Sequence, residues 1–365
     1  FSEAQVLGGG SGALIVEGIE GLRPELAGLP ERVLVLRDQK IPGKNEDEAD
    51  IGSHEPSKDL SINFVGIMYP ENRPAALVAR PNQREFWRVL NAAADTYFDL
   101  QLRTGPSLKE ARTPSVLELV ALDGAPVGNR GDAKRAHVLL APGARAEFLV
   151  TTPPEGVFAQ FVTLGYDTGP NGEITPERVL SNLFSTHDAP VLATRLSGSG
   201  PPLPASQTSL AALKPVRTRR LYFSEERVNP TDPTSPITYF LTVEGKTPKA
   251  FDMNFQRPDV IARQGTVEDW IVQNRAAEAH AFHIHQVHFQ VLERDGKTVD
   301  DPTLRDTIDL PYWDGKSRSY PSVKLRIDFR GSNVVGTFLY HCHILEHEDG
   351  GMMGAIRVLP AAPKK

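Results

Sequence analysis

The 365-residue sequence contains a single cysteine, Cys342. An intrachain disulfide is therefore impossible, and the thiol is free to act as a metal ligand. The net charge of −6, with no basic run beyond residues 217–220, argues against a surface that binds nucleic-acid phosphates. No apolar stretch approaches the roughly 20 residues needed to cross a bilayer. The four methionines form no methionine-rich segment of the kind that handles cuprous ions.

Long helical periodicity is also scarce, and strand signals dominate. Short apolar runs rich in β-branched and aromatic residues, broken by Gly, Pro, Asn and Asp, recur at residues 32–37, 86–90, 116–122 and 146–150. The 30 prolines and 30 glycines punctuate these runs at the spacing expected of β-sandwiches. The dipeptides Asp123-Gly124 and Asp295-Gly296 each lie between apolar alternations and predict hairpins. The sequence therefore predicts an all-β fold.

A segment rich in Ser, Pro and Gly at residues 196–216 has the composition of a linker. It separates two predicted domains, at residues 26–195 and 217–365, in agreement with the domain number expected from the length. Both contain a tryptophan followed four residues later by an asparagine, at Trp87 and Asn91 and at Trp270 and Asn274. This match is a weak indication of duplicated sandwich domains.

Residues 1–25 do not fit the start of a domain. A glycine-rich turn precedes the apolar run at residues 13–16, which is expected to be a last strand. On this interpretation residues 1–25 are the C-terminal remnant of a preceding domain. The alternative is an ordinary mature N-terminus after signal cleavage, because residue 1 is Phe and no charged-then-apolar leader is present.

The strongest functional signal is the tripeptide His-Cys-His at residues 341–343, followed by His347, Met352 and Met353. Thiolate, imidazole and thioether are the soft and borderline donors that copper selects. Side chains alternate along a strand, so Cys342 points away from the face shared by its two neighbours. With His280 from another strand, these residues supply the two imidazoles, the thiolate and the axial thioether of a blue-copper electron-transfer site. Either methionine could be axial.

A second set of histidines is predicted on the far side of the cysteine. His283 and His285 are spaced to share one face of a strand, and they could meet His341 and His343 there. An isolated His-x-His pair is more often a surface or hydrogen-bonded core pair, but the neighbouring thiolate set favours part of a second copper centre. The other histidines are assigned to structural positions: His288 beside the site or at the surface, and His54, His137 and His187 in loops or the core.

The sequences HAFHIHQVHF at 280–289 and HCHILEHEDGGMMG at 341–354 resemble the two C-terminal copper motifs of multicopper oxidases, the laccase-like family. The resemblance extends to residues 87–95 and 305–311. It implies tandem cupredoxin-like Greek-key β-sandwiches, with the remnant of cupredoxin domain 1 at 1–25, domain 2 at 26–195 and domain 3, carrying the copper motifs, at 217–365.

The resemblance also implies roles for single residues. His280, Cys342, His347 and Met352 match the ligands of the mononuclear type 1 copper, with Met352 rather than Met353 at the axial spacing. His283 matches a type 2 ligand, and His285, His341 and His343 match type 3 ligands. The catalytic residues would be Cys342, His341 and His343, since the Cys-His peptide passes electrons from the type 1 copper to the three-copper cluster.

The implied reaction couples oxidation of a reducing substrate, such as a phenol, an aromatic amine or a metal ion, to reduction of dioxygen to water. Family members are often exported, which predicts a periplasmic or extracellular location. However, they carry two further His-x-His motifs in a first domain, and none precedes residue 280 here. Residues 1–18 resemble the stretch after the second missing motif.

The chain is therefore expected to lack most of the first domain and to hold a complete type 1 set but only part of the type 2 and type 3 ligands. A missing N-terminal segment or another chain would have to supply the rest. The alternative hypothesis is a mononuclear blue-copper electron-transfer protein without oxidase activity.

Overall fold

The computed structural model describes residues 1–42, 55–127, 133–194, 209–232, 235–252 and 255–362. Within these ranges the chain is built mainly from β-strands and has two short α-helices, α1 (Ser2–Leu7) and α2 (Leu345–Asp349). Single 3-10 turns lie at Ile19–Gly21, Pro24–Leu26, Leu108–Glu110 and Leu210–Ala212. The predicted all-β fold is confirmed.

No helix in the described ranges combines the length and the apolar character needed to span a membrane.

The first half of the chain forms a sandwich of two main sheets. Its strands are β1 Glu31–Lys40, β2 Lys58–Ile62, β3 Val65–Ile67, β4 Ala75–Ala79, β5 Arg84–Asn91, β6 Phe98–Gly105, β7 Thr113–Pro114, β8 Leu117–Leu122, β9 Ala125–Pro126, β10 Lys134–Arg135, β11 Val138–Leu140, β12 Arg145–Thr151, β13 Phe158–Leu164, β14 Tyr166–Asp167, β15 Ile174–Thr175 and β16 Arg178–Ser185. One sheet has the order β10-β8-β12-β5-β1-β2-β3 with β9 beside β8, and the other has the order β11-β6-β13-β16-β4 with β7 beside β6. β14 and β15 form a separate ribbon.

The second half repeats this arrangement. Its strands are β17 Arg217–Arg227, β18 Ile237–Val243, β19 Val260–Arg263, β20 Val267–Asn274, β21 His280–Ile284, β22 Phe289–Arg294, β23 Lys297–Thr298, β24 Leu304–Arg305, β25 Thr307–Leu310, β26 Ser322–Asp328, β27 Gly336–Cys342 and β28 Met353–Leu359. One sheet has the order β18-β17-β20-β26-β22-β23 with β24 beside β22, and the other has the order β19-β28-β27-β21-β25. Each sandwich encloses its own apolar core.

The two cores are organised around the two tryptophans of the sequence match, and both indoles are fully buried. Trp87 Nε1 donates to Glu85 and Trp270 Nε1 donates to Glu268, at 2.7 and 3.1 Å. In each sandwich this glutamate also pairs with an arginine of the neighbouring parallel strand. Glu85 pairs with Arg32, and Glu268 pairs with Arg219. A buried carboxylate requires such partners. The shared arrangement supports the hypothesis of duplication.

The hairpins predicted at the two Asp-Gly dipeptides are confirmed, since β8 pairs with β9 and β22 with β23 across them. Asp123 and Asp295 have φ angles of 47° and 50°, and the following glycines have 77° and 73°. Tight hairpin turns of this type require a left-handed backbone at both central positions, which Asp-Gly adopts at low cost. Each aspartate also accepts a backbone hydrogen bond from the neighbouring strand, from Arg145 N and Ser322 N.

The prediction of a strand at residues 13–16 is wrong. These residues are irregular, and the Leu14 and Val16 side chains are 92% and 77% exposed. An apolar run becomes a strand only where a partner strand satisfies its backbone, and no strand of the described ranges pairs with it. The segment instead borders a cavity of about 610 Å³ together with β5, β12 and His288.

Most of the predicted linker, residues 196–208, lies outside the described residues. The rest of it packs on the second sandwich, because Arg326 Nη1 donates to the carbonyl oxygens of Leu210, Ala211 and Leu213.

Candidate metal centre

The first candidate site lies between the two central strands of the second sandwich and α2. β21 and β27 run antiparallel with Phe282 opposite Cys342, so His280 and Cys342 reach the same face. Cys342 Sγ lies 3.7 Å from His280 Nδ1 and 3.6 Å from His347 Nδ1, and the two nitrogens are 3.1 Å apart. All three side chains are fully buried. Three donor atoms therefore converge on one point that is closed to water.

The chemistry of this trio fits a copper ion. One sulfur and two imidazole nitrogens are the donor set that copper favours, and their spacing places one ion within reach of all three. Burial lowers the pKa of His280 well below its usual value, which keeps the imidazole neutral and its lone pair available.

The Met352 side chain is fully buried in the same apolar core. Its backbone closes the ligand loop, because Met352 O accepts from Cys342 N at 3.0 Å and Met352 N donates to His347 O at 2.8 Å. The Met352 backbone is thereby tied to two residues of the trio, and the axial role of its thioether stays a prediction. Met353, by contrast, belongs to β28 and pairs with His341.

The orientation of His347 is set by two neighbours. The Tyr239 ring stacks on it at 4.1 Å between centroids and 25° between planes. On its other edge, Nε2 lies 3.2 Å from Glu278 Oε2. Burial raises the pKa of the Glu278 carboxyl to about 7, although His347 acts to lower it. Contacts of this kind turn the ring so that Nδ1 faces the cysteine.

The second candidate site lies on the opposite face of β27, as side-chain alternation predicts. The nitrogens of His283, His285 and His341 all lie within 4.8 Å of one another, and the Nε2 atoms of His285 and His341 are 3.1 Å apart. Burial, followed by the neighbouring His341 and His283, lowers the pKa of His285 to about 4. The His285 imidazole is therefore neutral, and the three side chains are close enough to face one metal ion.

The fourth histidine predicted here, His343, lies beside this group. Its ring centroid is 5.2 Å from that of His283 and 5.3 Å from that of His341. Its ring also packs beside Gly143 of the first sandwich, where an added Cβ would come within 2.3 Å of His343 Nε2. Burial lowers the pKa of His343 well below its usual value, so this imidazole is also neutral.

Hydrogen bonds on the outer side orient the second group. His283 Nδ1 donates to Asp306 O and Thr307 Oγ1, both at 3.0 Å. His341 Nδ1 lies 2.8 Å from Cys342 O and 3.0 Å from Glu348 Oε2. With both Nδ1 atoms engaged, the Nε2 atoms are left to face a metal.

Asp306 connects the second group to the first sandwich. Arg145 donates to both of its carboxylate oxygens, at 2.9 and 2.8 Å, and Asp123 Oδ2 accepts from Asp306 N at 3.2 Å. Although burial acts to raise it, hydrogen bonds from His283 and Arg145 hold the pKa of Asp306 well below its usual range. The carboxylate is thus ionised and fixed across the contact between the two sandwiches.

The other histidines of the described ranges lie apart from both groups. His288 Nε2 donates to Asp123 O at 3.1 Å, His137 pairs with Asp99 at 2.7 Å, and His187 is exposed near Glu155. His54 lies outside the described residues. The assignment to structural positions agrees with the structure for His288, His137 and His187.

Sequence reasoning missed the residues that support the ligands. The acidic run at residues 346–349 has the composition of a solvated loop, but it forms α2. Glu348 contacts His341, and Asp349 accepts from the amides of Ser2 and Glu3 in α1. Glu278 offered one available signal, since it lies two residues before a predicted ligand. Gly143 belongs to the other sandwich and carries no local signal.

A family model described as multicopper oxidase matches residues 228–362. A laccase from Haloferax volcanii is 29% identical over 282 residues, which cover 74% of this chain and 43% of that protein. A multicopper oxidase from Staphylococcus aureus is 38% identical over 124 residues, which cover 32% of this chain and 24% of that protein. The chain thus spans less than half the length of either curated relative.

Solved structures of multicopper oxidases share the fold. One from Campylobacter jejuni, described as a metallo-oxidase, superimposes with a TM-score of 0.62 at 23% identity, covering 90% of this chain and 64% of that chain. A variant of the McoA enzyme from Aquifex aeolicus gives 0.64 at 17% identity, covering 94% and 70%. These likenesses establish tandem cupredoxin-type sandwiches as the fold.

Proposed function

Because the chain belongs to the multicopper oxidase family, we propose that it is the catalytic part of a laccase-like oxidase. Bound copper would accept single electrons from a reducing substrate at a type 1 site and use them at a three-copper cluster to reduce dioxygen to water. The observation that carries the proposal is the arrangement of β27, which directs Cys342 to a fully buried donor group and His341 to a second, half-buried one.

The type 1 ligands in this proposal are His280, Cys342, His347 and the axial Met352. Their complete burial excludes water, so the thiolate is shielded from solvent and from oxidation. Two hydrogen bonds, from Cys342 N to Met352 O and from Met352 N to His347 O, tie the loop of the last two ligands to β27. A rigid, preformed site suits electron transfer because little rearrangement then accompanies a change of oxidation state.

Electron delivery would use residues 341–343. Covalent bonds lead from Cys342 Sγ to both neighbouring imidazoles, and the hydrogen bond from His341 Nδ1 to Cys342 O offers a second connection of 2.8 Å. In this proposal His283 is a type 2 ligand, and His285, His341 and His343 are type 3 ligands. The remaining ligands would come from two His-x-His motifs outside this sequence, in a preceding segment or another chain.

The reducing substrate would approach beside His347. Tyr239 and Glu346 lie there, and the Tyr239 hydroxyl donates to the Glu346 carboxylate at 3.3 Å. A carboxylate at this position can accept a hydrogen bond from a phenol or an aromatic amine, or attract a metal cation. Phenols, aromatic amines and metal ions are therefore all proposed as reducing substrates. A periplasmic or extracellular location, implied by the resemblance to exported oxidases, completes the proposal.

Copper counting tests the proposal. After reconstitution with excess copper and desalting, this chain alone is expected to retain its type 1 copper, turn blue and consume no oxygen. Addition of a segment carrying two His-x-His motifs should raise bound copper to the full set and start oxygen consumption with a phenolic donor. Metal analysis, absorption spectra and an oxygen electrode give the three readouts.

Two variants serve as controls for this experiment. His285→Gln removes a donor from the second group only, so it should keep the blue colour but lose oxygen consumption in the completed protein. His187→Gln changes an exposed histidine and should alter neither. A chain that turns blue but never consumes oxygen, whatever segment is added, would be an electron carrier rather than an oxidase. A chain that never turns blue would overturn both.

A further inference from the structure

The helix that carries His347 is held from outside its own sandwich. Residues 92–96, which we term the docking loop, follow β5 in the first sandwich and lie against the start of α2. Leu345 N donates to Ala94 O at 3.0 Å, and Glu346 N donates to Asp95 Oδ1 at 3.3 Å. The Leu7, Ala94 and Leu345 side chains pack together beside these bonds. The first amides of a helix have no intrahelical acceptor, so these contacts complete α2.

The docking loop is itself fixed by a buried carboxylate. Asp38 of β1 accepts from the amides of Ala94, Asp95 and Thr96 at 2.8, 2.9 and 3.0 Å. Asn91 holds the loop from its other side, accepting from Ala93 N and donating to Thr96 O. Three backbone amides on one carboxylate leave the loop little freedom.

Asp95 faces α2 with one oxygen and a cation with the other. Its Oδ2 lies 3.4 Å from Lys58 Nζ, and Lys58 also pairs with Glu173. Asp95 and Lys58 are buried, whereas Glu173 is only half-buried. A buried carboxylate that is paired and bonded in this way has a single favourable orientation, which points Oδ1 at the Glu346 amide.

The same loop in the second sandwich positions the other imidazole. There Asn274 accepts from Ala276 N at 2.9 Å and donates to Glu278 O at 2.7 Å, and the loop it holds runs directly into His280. The equivalent loop of each sandwich thus contacts or carries one histidine-bearing segment of the trio. In the second sandwich the loop is covalently joined to a histidine of the trio, and in the first it contacts α2, which carries the other.

We propose that Asp95, oriented by Asp38 and Lys58, is a positioning residue that sets the distance between His347 Nδ1 and Cys342 Sγ. The inference rests on the proposed type 1 site. It makes the contact between the two sandwiches part of the copper geometry, because α2 is too short to hold its own position: its five residues depend on Ala94 and Asp95 for their first hydrogen bonds.

The test compares Asp95→Ala with Asp95→Asn. The alanine variant loses the acceptor for Glu346 N, and the asparagine variant keeps an oxygen there. In the copper-free chain, amide hydrogen exchange in α2 should be faster by roughly tenfold in Asp95→Ala, the effect expected from one lost hydrogen bond. In the copper-loaded chain, the same variant should show a shifted blue absorption and an altered copper EPR spectrum. Asp95→Asn should lie between the wild type and Asp95→Ala in both, because its single oxygen can face either Glu346 N or Lys58 Nζ.

Val150→Ala is the control for general destabilisation. It opens a cavity in the core of the first sandwich on β12, opposite Glu85, away from the docking loop. The inference is overturned if Asp95→Ala matches the wild type in exchange and spectrum, or if Val150→Ala causes the same changes. A wild-type chain that never turns blue would refute the proposed function, while the exchange measurement would still decide whether Asp95 holds α2.

Discussion

Replacing Cys342 with Ser is expected to abolish the blue absorption of the copper-loaded chain completely and to leave the type 1 position without copper. The blue colour requires a thiolate bound to copper, and a serine hydroxyl stays protonated at neutral pH and is a poor donor for this ion. The loss of affinity should exceed the roughly 10–100-fold typical of changes outside the ligand shell. Absorption spectra and bound copper per chain, measured on wild type and variant, check the prediction.

The serine variant should still fold, because it differs by a single atom in a fully buried position beside two imidazole nitrogens that can hydrogen-bond to it. Circular dichroism and urea unfolding establish this. A variant that stays blue would refute the assignment of Cys342. The adjacent methionines give a matched pair: Met352→Leu should change the colour and Met353→Leu should not, whereas the reverse result would move the axial role to Met353.

The grouping of the candidate copper ligands can be predicted from sequence because their spacing encodes local geometry. The alternation of side chains along β27 follows from any strand, so residues 341–343 alone place Cys342 and His341 on opposite faces. His347 and the Met352 thioether follow Cys342 within a dozen residues, so they are close to it in sequence as well. The hairpins at the two Asp-Gly dipeptides are predictable for the same reason, since the turn type depends on those two residues alone.

Contacts between the sandwiches cannot be predicted in this way, because they join residues that are distant in sequence. Nothing near Asp95 indicates that it meets Glu346, and nothing near Gly143 indicates that it meets His343. The error at residues 13–16 has a related cause. An apolar run predicts a strand only if a partner lies beside it, and that partner is a property of the whole fold.

The Trp-Asn match between the two halves of the sequence corresponds to equivalent hydrogen bonds in the two sandwiches. Two matches of this spacing would be poor evidence for duplication by themselves. In the structure both asparagines hold the loop that follows their strand, and both tryptophans donate to a glutamate paired with an arginine. The repeated residues are those with buried polar groups, for which substitution leaves unsatisfied partners and is costly.

Gly143→Ala is expected to destabilise the chain by about 2–5 kcal/mol and to displace His343. Gly143 has φ +77°, and an added Cβ would lie 2.3 Å from His343 Nε2 and 2.5 Å from Cδ2. The left-handed backbone costs an alanine about 1–2 kcal/mol. Overpacking against the half-buried His343 ring adds roughly 1–3 kcal/mol. The midpoint of urea unfolding, compared with wild type at constant slope, measures the sum.

Gly124→Ala separates the two contributions. Gly124 also has φ +77°, but no atom lies within 4 Å of the position that an added Cβ would take, so only the backbone cost of about 1–2 kcal/mol should appear. The difference between the two variants then isolates the collision with His343. Adding His343→Ala to Gly143→Ala should recover stability relative to the sum of the single variants, because the smaller side chain removes the clash. Equal costs at the two glycines, or strict additivity in the double variant, would show that Gly143 does not press on the histidine, and that His343 is positioned by its own sandwich alone.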